Sequence, residues 1–101
     1  MKLIYITCNA SMLEPVTSLI DEMEFADYQV IEKVTSKSRS SQPRQNTAIW
    51  PGYNSAVFIQ EDDAGKAAAL FAEIDRLNAG AFNSNEQLSA FMWEAEKSAG
   101  R

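Results

Sequence analysis

The chain has 101 residues, of which 46% are hydrophobic and 23% charged, and its formal net charge is −5. This length and mix predict one globular domain over residues 1–101, with no apolar run long enough for a membrane span or a signal peptide. Histidine is absent, which excludes Ser-His and Cys-His nucleophilic systems and removes the commonest general base and neutral metal ligand. The single cysteine, Cys8, cannot form an internal disulfide, so we expect a cytoplasmic protein.

The hydrophobic pattern switches between the strand period of two and the helix period of 3.6 along the chain. Four segments fit strands and two fit helices, and Gly and Pro mark their ends. In chain order these are a strand at 2–8, a helix that starts with a capping-box spacing from Ser11 to Glu14, a half-exposed strand at 28–35, a strand at 55–60, a helix from Asp62 and Asp63 to Gly80, and a strand at 88–93.

The resulting βαββαβ order predicts an α+β fold of the ferredoxin-like type. It consists of a four-stranded antiparallel sheet with two helices on one face, because crossover connections are right-handed. The first, third and fourth strands are apolar on both sides. The face without helices therefore needs a cover, and a second copy of the chain is the simplest one.

The stretch from 36 to 51 is predicted to be a long polar loop between the second and third strands. Loops longer than about 12–15 residues are uncommon in compact domains unless they are functional or disordered. No Asp or Glu occurs between Glu32 and Glu61, whereas this interval contains Lys33, Lys37, Arg39 and Arg44. The basic side chains are those of an ordinary solvated loop, or they bind an anionic ligand or an acidic partner surface.

The end of this loop is its best-defined part. Trp50 precedes Pro51 and Gly52, and Pro fixes φ while Gly permits positive φ, so the turn is rigid. Trp50 is then either a packing anchor or a wall for a planar ligand. The acidic run at 61–63 suits a helix N-cap better than a hard-cation site, and we predict neither catalytic residues nor a metal site.

Two local segments resemble those of a small subgroup of PII-like signalling proteins, which differs from the classical nitrogen-regulatory PII proteins. One is Thr-Ala-Ile-Trp-Pro-Gly-Tyr-Asn-Ser at 47–55, and the other is Leu-Ser-Ala-Phe-Met-Trp-Glu-Ala-Glu at 88–96. The resemblance implies a non-enzymatic homotrimer whose sheets face inward, with ligands in clefts between subunits. Ala48 stands where the subgroup often has histidine, and the glycine-rich ATP segment of classical PII proteins is missing, so neither a metal nor ATP is carried over.

On this resemblance the chain is a regulatory sensor of a small anion, a nucleotide or a metal. It would signal through the 36–51 loop to a target protein such as a membrane transporter. The candidate ligand contacts are Lys37, Arg39, Arg44, Trp50 and Asn54.

Two alternatives share the predicted topology. The first is a small dimeric ferredoxin-like enzyme of the monooxygenase or isomerase type, against which the missing histidine and the missing acid–base pair both count. The second is an RNA-recognition domain that stacks bases on its open sheet face. The net charge of −5 argues against nucleic acid as a partner.

Overall fold

The described residues form six strands and two α-helices. A computed structural model describes residues 1–38, 41–44, 53–83 and 86–100, with the backbone alone for 36–38 and 41–44. In chain order the elements are β1 (Lys2–Asn9), a 3-10 turn (Ala10–Met12), α1 (Leu13–Glu22), β2 (Asp27–Val34), β3 (Ser36–Ser38), β4 (Ser41–Arg44), β5 (Asn54–Glu61), α2 (Ala64–Ala79) and β6 (Ser89–Glu94).

Four of the strands form one antiparallel sheet in the order β2-β5-β1-β6. β1 is central and pairs with both β5 and β6, while β2 pairs with β5 at one edge. Most β2 residues are exposed, as the sequence predicted for an edge strand. The ferredoxin-like α+β arrangement is thus confirmed, with strand ends within one residue of the predicted ones.

The core lies between the helices and one face of this sheet. Side chains at alternate strand positions point to this face, and those at positions i and i+4 of each helix meet them. The fully or nearly fully buried members include Ile4, Ile6, Cys8, Val57 and Ile59 from the strands, and Val16, Ile20, Ala67, Leu70 and Ile74 from the helices. Both helices therefore cover the same side of the sheet, as predicted.

The start of α1 differs from the prediction. The Asn9 side-chain oxygen accepts hydrogen bonds from the Ser11 N–H and hydroxyl, both at 2.9 Å, and so caps the 3-10 turn. The N-cap position of α1 is Met12, which has no capping side chain. The Ser11 capping box was therefore wrong, because an asparagine two residues earlier bonds the same backbone more locally.

The end of α1 places a charged residue in left-handed backbone geometry. Glu24 has φ of 63°, and the Phe25 N–H donates to the Ile20 carbonyl at 3.2 Å while the Glu24 N–H donates to the Asp21 carbonyl at 3.0 Å. This is the pairing of a Schellman cap, whose left-handed position glycine fills at least cost.

Replacing Glu24 with glycine is expected to stabilise the protein by about 1 kcal/mol, because the Cβ penalty of left-handed geometry disappears. Glu22→Gly, at the last helical residue of α1, is the matched control and should destabilise by up to about 1 kcal/mol. Urea unfolding of the two variants measures both changes. Changes in the free energy of unfolding that have the same sign in both variants would contradict the prediction.

The 36–51 region contains structure that the polar sequence did not predict. Ser36 lies opposite Arg44 and Ser38 opposite Ser41, so that β3 and β4 form their own antiparallel ladder with a register shift. Between these two pairs, β4 has one more residue than β3, and Pro43 is one of the two β4 residues there. A residue without an N–H interrupts the pairing least at such an irregularity. The prediction of a long loop without strands was wrong for these residues, because short ladders follow from turn geometry rather than from apolar periodicity.

Candidate functional site

The end of β2 and the start of β5 lie side by side where the chain enters and leaves the 36–51 region. We call residues 32–34 the β2 stem and residues 53–55 the β5 stem. β2 ends at Val34 and β5 begins at Asn54, and these two residues are register partners. Between Ile31 and Val34 the register shifts by one residue against β5, which is the pattern of a β-bulge. Bulges bend a strand and are common beside functional sites, so this one determines the direction in which the chain leaves the sheet.

A buried hydroxyl holds the bulge. The Ser55 Oγ donates to the Glu32 carbonyl at 2.7 Å, and Ser55 is only 1% exposed. Glu32 has no register partner in β5, so its carbonyl lies within the bulge, and the buried Ser55 hydroxyl finds its partner there. Ser55 therefore ties the β5 stem to the β2 stem from within the sheet.

Ser55→Ala is expected to lower the free energy of unfolding by about 1 kcal/mol, since the hydrogen bond between the Ser55 hydroxyl and the Glu32 carbonyl is lost. Ser98→Ala, in the exposed tail, should change it by less than about 0.5 kcal/mol. Guanidinium unfolding of the two single variants provides the comparison. A Ser55→Ala protein as stable as the parent would show that water replaces the hydroxyl.

The next stem residue is anchored through its backbone and its ring. The Tyr53 carbonyl accepts a hydrogen bond from the Ala10 N–H at 2.9 Å, which fixes it to the end of β1. The Lys33 Nζ lies 5.4 Å from the centre of the Tyr53 ring, within cation–π range. Sequence reasoning counted Lys33 among the basic residues but selected neither of these two side chains, because their contact depends on the bulge.

The structure describes three of the five predicted ligand contacts. Asn54 is the first residue of β5 and the register partner of Asn9 in β1, and it is half-buried. Lys37 lies in β3 and Arg44 in β4, for which the backbone alone is described. Arg39 and Trp50 lie outside the described residues. Of the predicted contacts that are described, Asn54 thus lies at the end of the main sheet and the other two on the separate β3–β4 ladder, and the mutual geometry of the whole set stays a prediction.

The other candidate groups have structural roles. Burial leaves Cys8 3% exposed and raises the pKa of its thiol to about 11, which disfavours the nucleophilic thiolate. The Asp63 side chain accepts from the Lys66 N–H at 3.1 Å and caps α2, as the sequence predicted. Across residues 1–38, 41–44, 53–83 and 86–100, no cluster of three or more His, Cys, Asp or Glu is placed to hold a metal ion.

The sheet face opposite the helices carries an aromatic patch. By strand alternation and register, Leu3 and Tyr5 of β1 share this face with Phe58 of β5 and with Phe91 and Trp93 of β6. The Tyr5 and Phe58 rings contact edge-to-face with their centroids 6.2 Å apart, and the Phe58 and Trp93 centroids are 5.9 Å apart in the same arrangement. We call these five residues the open-face patch.

The open-face patch is accessible in the single chain. Phe91 is 64% exposed and Trp93 45% exposed, whereas the apolar residues beneath the helices are almost fully covered. An exposed cluster of aromatic residues is typical of a surface that binds another protein. The apolar second face predicted from the sequence is therefore present.

Comparison with solved structures identifies proteins of similar architecture. A protein of Thermus thermophilus that is described as a PII-like signalling protein has a TM-score of 0.63 and 11% identity, over 91% of this chain and 83% of that one. CPII from Thiomonas intermedia, solved bound to ADP and bicarbonate, has a TM-score of 0.55 and 12% identity, over 95% of this chain and 88% of that one.

The chain has the fold of PII-like signalling proteins. It matches no family model and no curated protein sequence. The PII-like fold is thus recognised from the three-dimensional arrangement alone. The sequence identity to the two solved structures is too low to transfer the roles of individual residues. Neither helix of the described PII-like fold is long and apolar enough to cross a membrane.

Proposed function

We propose that this chain is a non-enzymatic PII-like regulatory protein of the cytoplasm. It assembles as a homotrimer, binds a small anionic ligand, a nucleotide or a metal in clefts between subunits, and signals through residues 36–51 to a partner such as a membrane transporter. The PII-like fold supports the class of protein. The ligands named for CPII, ADP and bicarbonate, are both anions and direct the first choice of probes.

The observation that carries the proposal is the open-face patch. A sheet with helices on one side and exposed aromatic side chains on the other has a second apolar surface without a cover. Aromatic residues are enriched at the centres of protein interfaces, and a second copy of the chain is always available at equal concentration. Burial of this surface between copies supports assembly through the sheets.

Charge supports an anionic ligand. The protein as a whole is acidic, yet the interval between Glu32 and Glu61 lacks acidic residues. Lys37 and Arg44 lie on the β3–β4 ladder, which extends from the stems that Ser55 and Tyr53 hold. Basic side chains on a segment with anchored stems can bind phosphate or carboxylate groups through charge-assisted hydrogen bonds. Arg39, Trp50 and Asn54 complete the candidate contacts.

Light scattering coupled to size exclusion tests the assembly, and a thermal-shift series with ADP and with bicarbonate tests the ligand. We expect three chain masses per particle and a melting temperature raised by a few degrees at millimolar ligand. Adenosine and chloride serve as controls that lack the nucleotide phosphates and the carbonate group. A monomer at micromolar concentration, or equal melting temperatures in all four conditions, would overturn the corresponding half of the proposal.

A further inference from the structure

Lys33 is an exposed cation that lies against an aromatic ring. Its side chain is exposed, and its ammonium group lies over the Tyr53 ring. In the ranges for which side chains are described, the ion pairs involve Lys2, Arg76 and the N-terminus, and Lys33 has none. A solvent-exposed cation held by a ring rather than by a carboxylate can accept an incoming anion without breaking a salt bridge.

The surroundings of Lys33 are fixed on both sides. The Glu32 carbonyl, one residue earlier, is bonded to the buried Ser55 hydroxyl. The Tyr53 backbone is bonded to the end of β1 through Ala10. The Lys33 side chain is thus a link between two anchored strands, and its contact with Tyr53 crosses from the β2 stem to the β5 stem.

We propose that Lys33 is an oxyanion-binding residue that exchanges the Tyr53 ring for a phosphate or carboxylate-type oxygen of the ligand. The inference rests on the proposed function, because the oxyanion belongs to the anionic ligand proposed there. Binding removes the contact between the two stems while the bulge stays in place. Ligand binding is thereby coupled to the Lys33–Tyr53 contact, which links the ends of β2 and β5.

The chemistry favours the exchange in this direction. A cation–π contact at an exposed site is weak, whereas an ammonium group forms stronger charge-assisted hydrogen bonds with an oxyanion. A ligand shifts an equilibrium between two states only through its different affinity for them. Here the two states differ in the partner of Lys33, so the oxyanion that binds Lys33 supplies that difference directly.

Isothermal titration of wild type and three variants with ADP and with bicarbonate tests the exchange. Lys33→Met should weaken binding about 10- to 100-fold, as expected for the loss of a charge-assisted hydrogen bond. Tyr53→Leu should tighten binding about two- to fivefold, because the competing ring is gone. Lys97→Met, an exposed lysine in the tail, is the matched control and should bind as wild type. Wild-type affinity in Lys33→Met, or weaker binding in Tyr53→Leu, would overturn the inference.

A spectroscopic measurement supplements the affinities, because Tyr53→Leu also alters packing. In the ligand-free wild type, the Lys33 side-chain methylene protons should appear upfield from ring-current shielding and should move downfield when the oxyanion is added. ADP and bicarbonate distinguish the two sources of the oxyanion, and adenosine should leave the signals in place. If neither anion binds wild type, the ligand half of the proposed function and this inference fail together. If one binds without moving the Lys33 signals, this inference alone fails.

Discussion

Phe91→Asp is expected to dissociate the proposed trimer into monomers without unfolding the chain. Phe91 is 64% exposed in the single chain, so an aspartate there stays hydrated in the monomer. Between two sheets the same carboxylate would lose its hydration without a partner, at a cost of several kcal/mol per contact. A loss of about 3 kcal/mol corresponds to an association more than 100-fold weaker. Light scattering at a concentration that gives a wild-type oligomer measures the effect.

The control for this experiment is Phe82→Asp. Phe82 is the most exposed of the large apolar side chains in the described ranges, at 94%, and lies in the connection between α2 and β6 rather than in the sheet. This variant carries the same chemical change and should keep the wild-type particle mass. Loss of assembly in both variants, or in neither, would argue against the open-face patch as the subunit interface.

Leu70→Ala is expected to be among the most damaging changes to stability. Leu70 lies on α2, is fully buried and packs in the cluster that joins both helices to the sheet. Truncation of a buried leucine costs about 2–5 kcal/mol, which combines lost transfer energy with a residual cavity. A domain of this size has a total stability of roughly 5–15 kcal/mol, so the variant should retain little margin at 37 °C. Urea unfolding followed by far-UV circular dichroism measures the loss.

Leu77→Ala is the matched control on the same helix. Leu77 is half-buried and packs against the edge of the cluster rather than within it, so its truncation should cost clearly less than that of Leu70. Comparison in monomeric Phe91→Asp protein separates chain stability from assembly, because an oligomer gains stability with concentration. Equal losses in the two leucine variants would mean that the helices pack differently from the structure.

The fold was predictable because its elements are strongly periodic. Ile4, Ile6 and Cys8 alternate along β1, and the stripe through Ala67, Leu70 and Ile74 has helical spacing. Once the order βαββαβ is known, the handedness of crossovers leaves few arrangements, and the observed sheet order follows. Where two side chains compete for one backbone donor, as Asn9 and the Glu14 of the predicted capping box do for the Ser11 N–H, local sequence did not decide the outcome.

The site was predictable only as a region. Missing acids and several basic residues indicated the stretch after Glu32, but they did not indicate which side chains would meet. Tyr53 and Lys33 are twenty positions apart and come together because a bulge shifts β2 against β5. Ser55 looked like one more residue of a strand, and its role in holding that bulge depends on a carbonyl from another strand.

The sequence by itself determined the class of fold, the helix-covered core, the apolar second face and the basic character of the segment between the second and third strands of the main sheet. These properties follow from side-chain periodicity and composition, which are local. The tertiary structure alone decided the β3–β4 ladder, the bulge held by Ser55 and the contact of Lys33 with Tyr53. Each of these depends on strand register, which brings together residues distant in the chain and cannot be read from either segment alone.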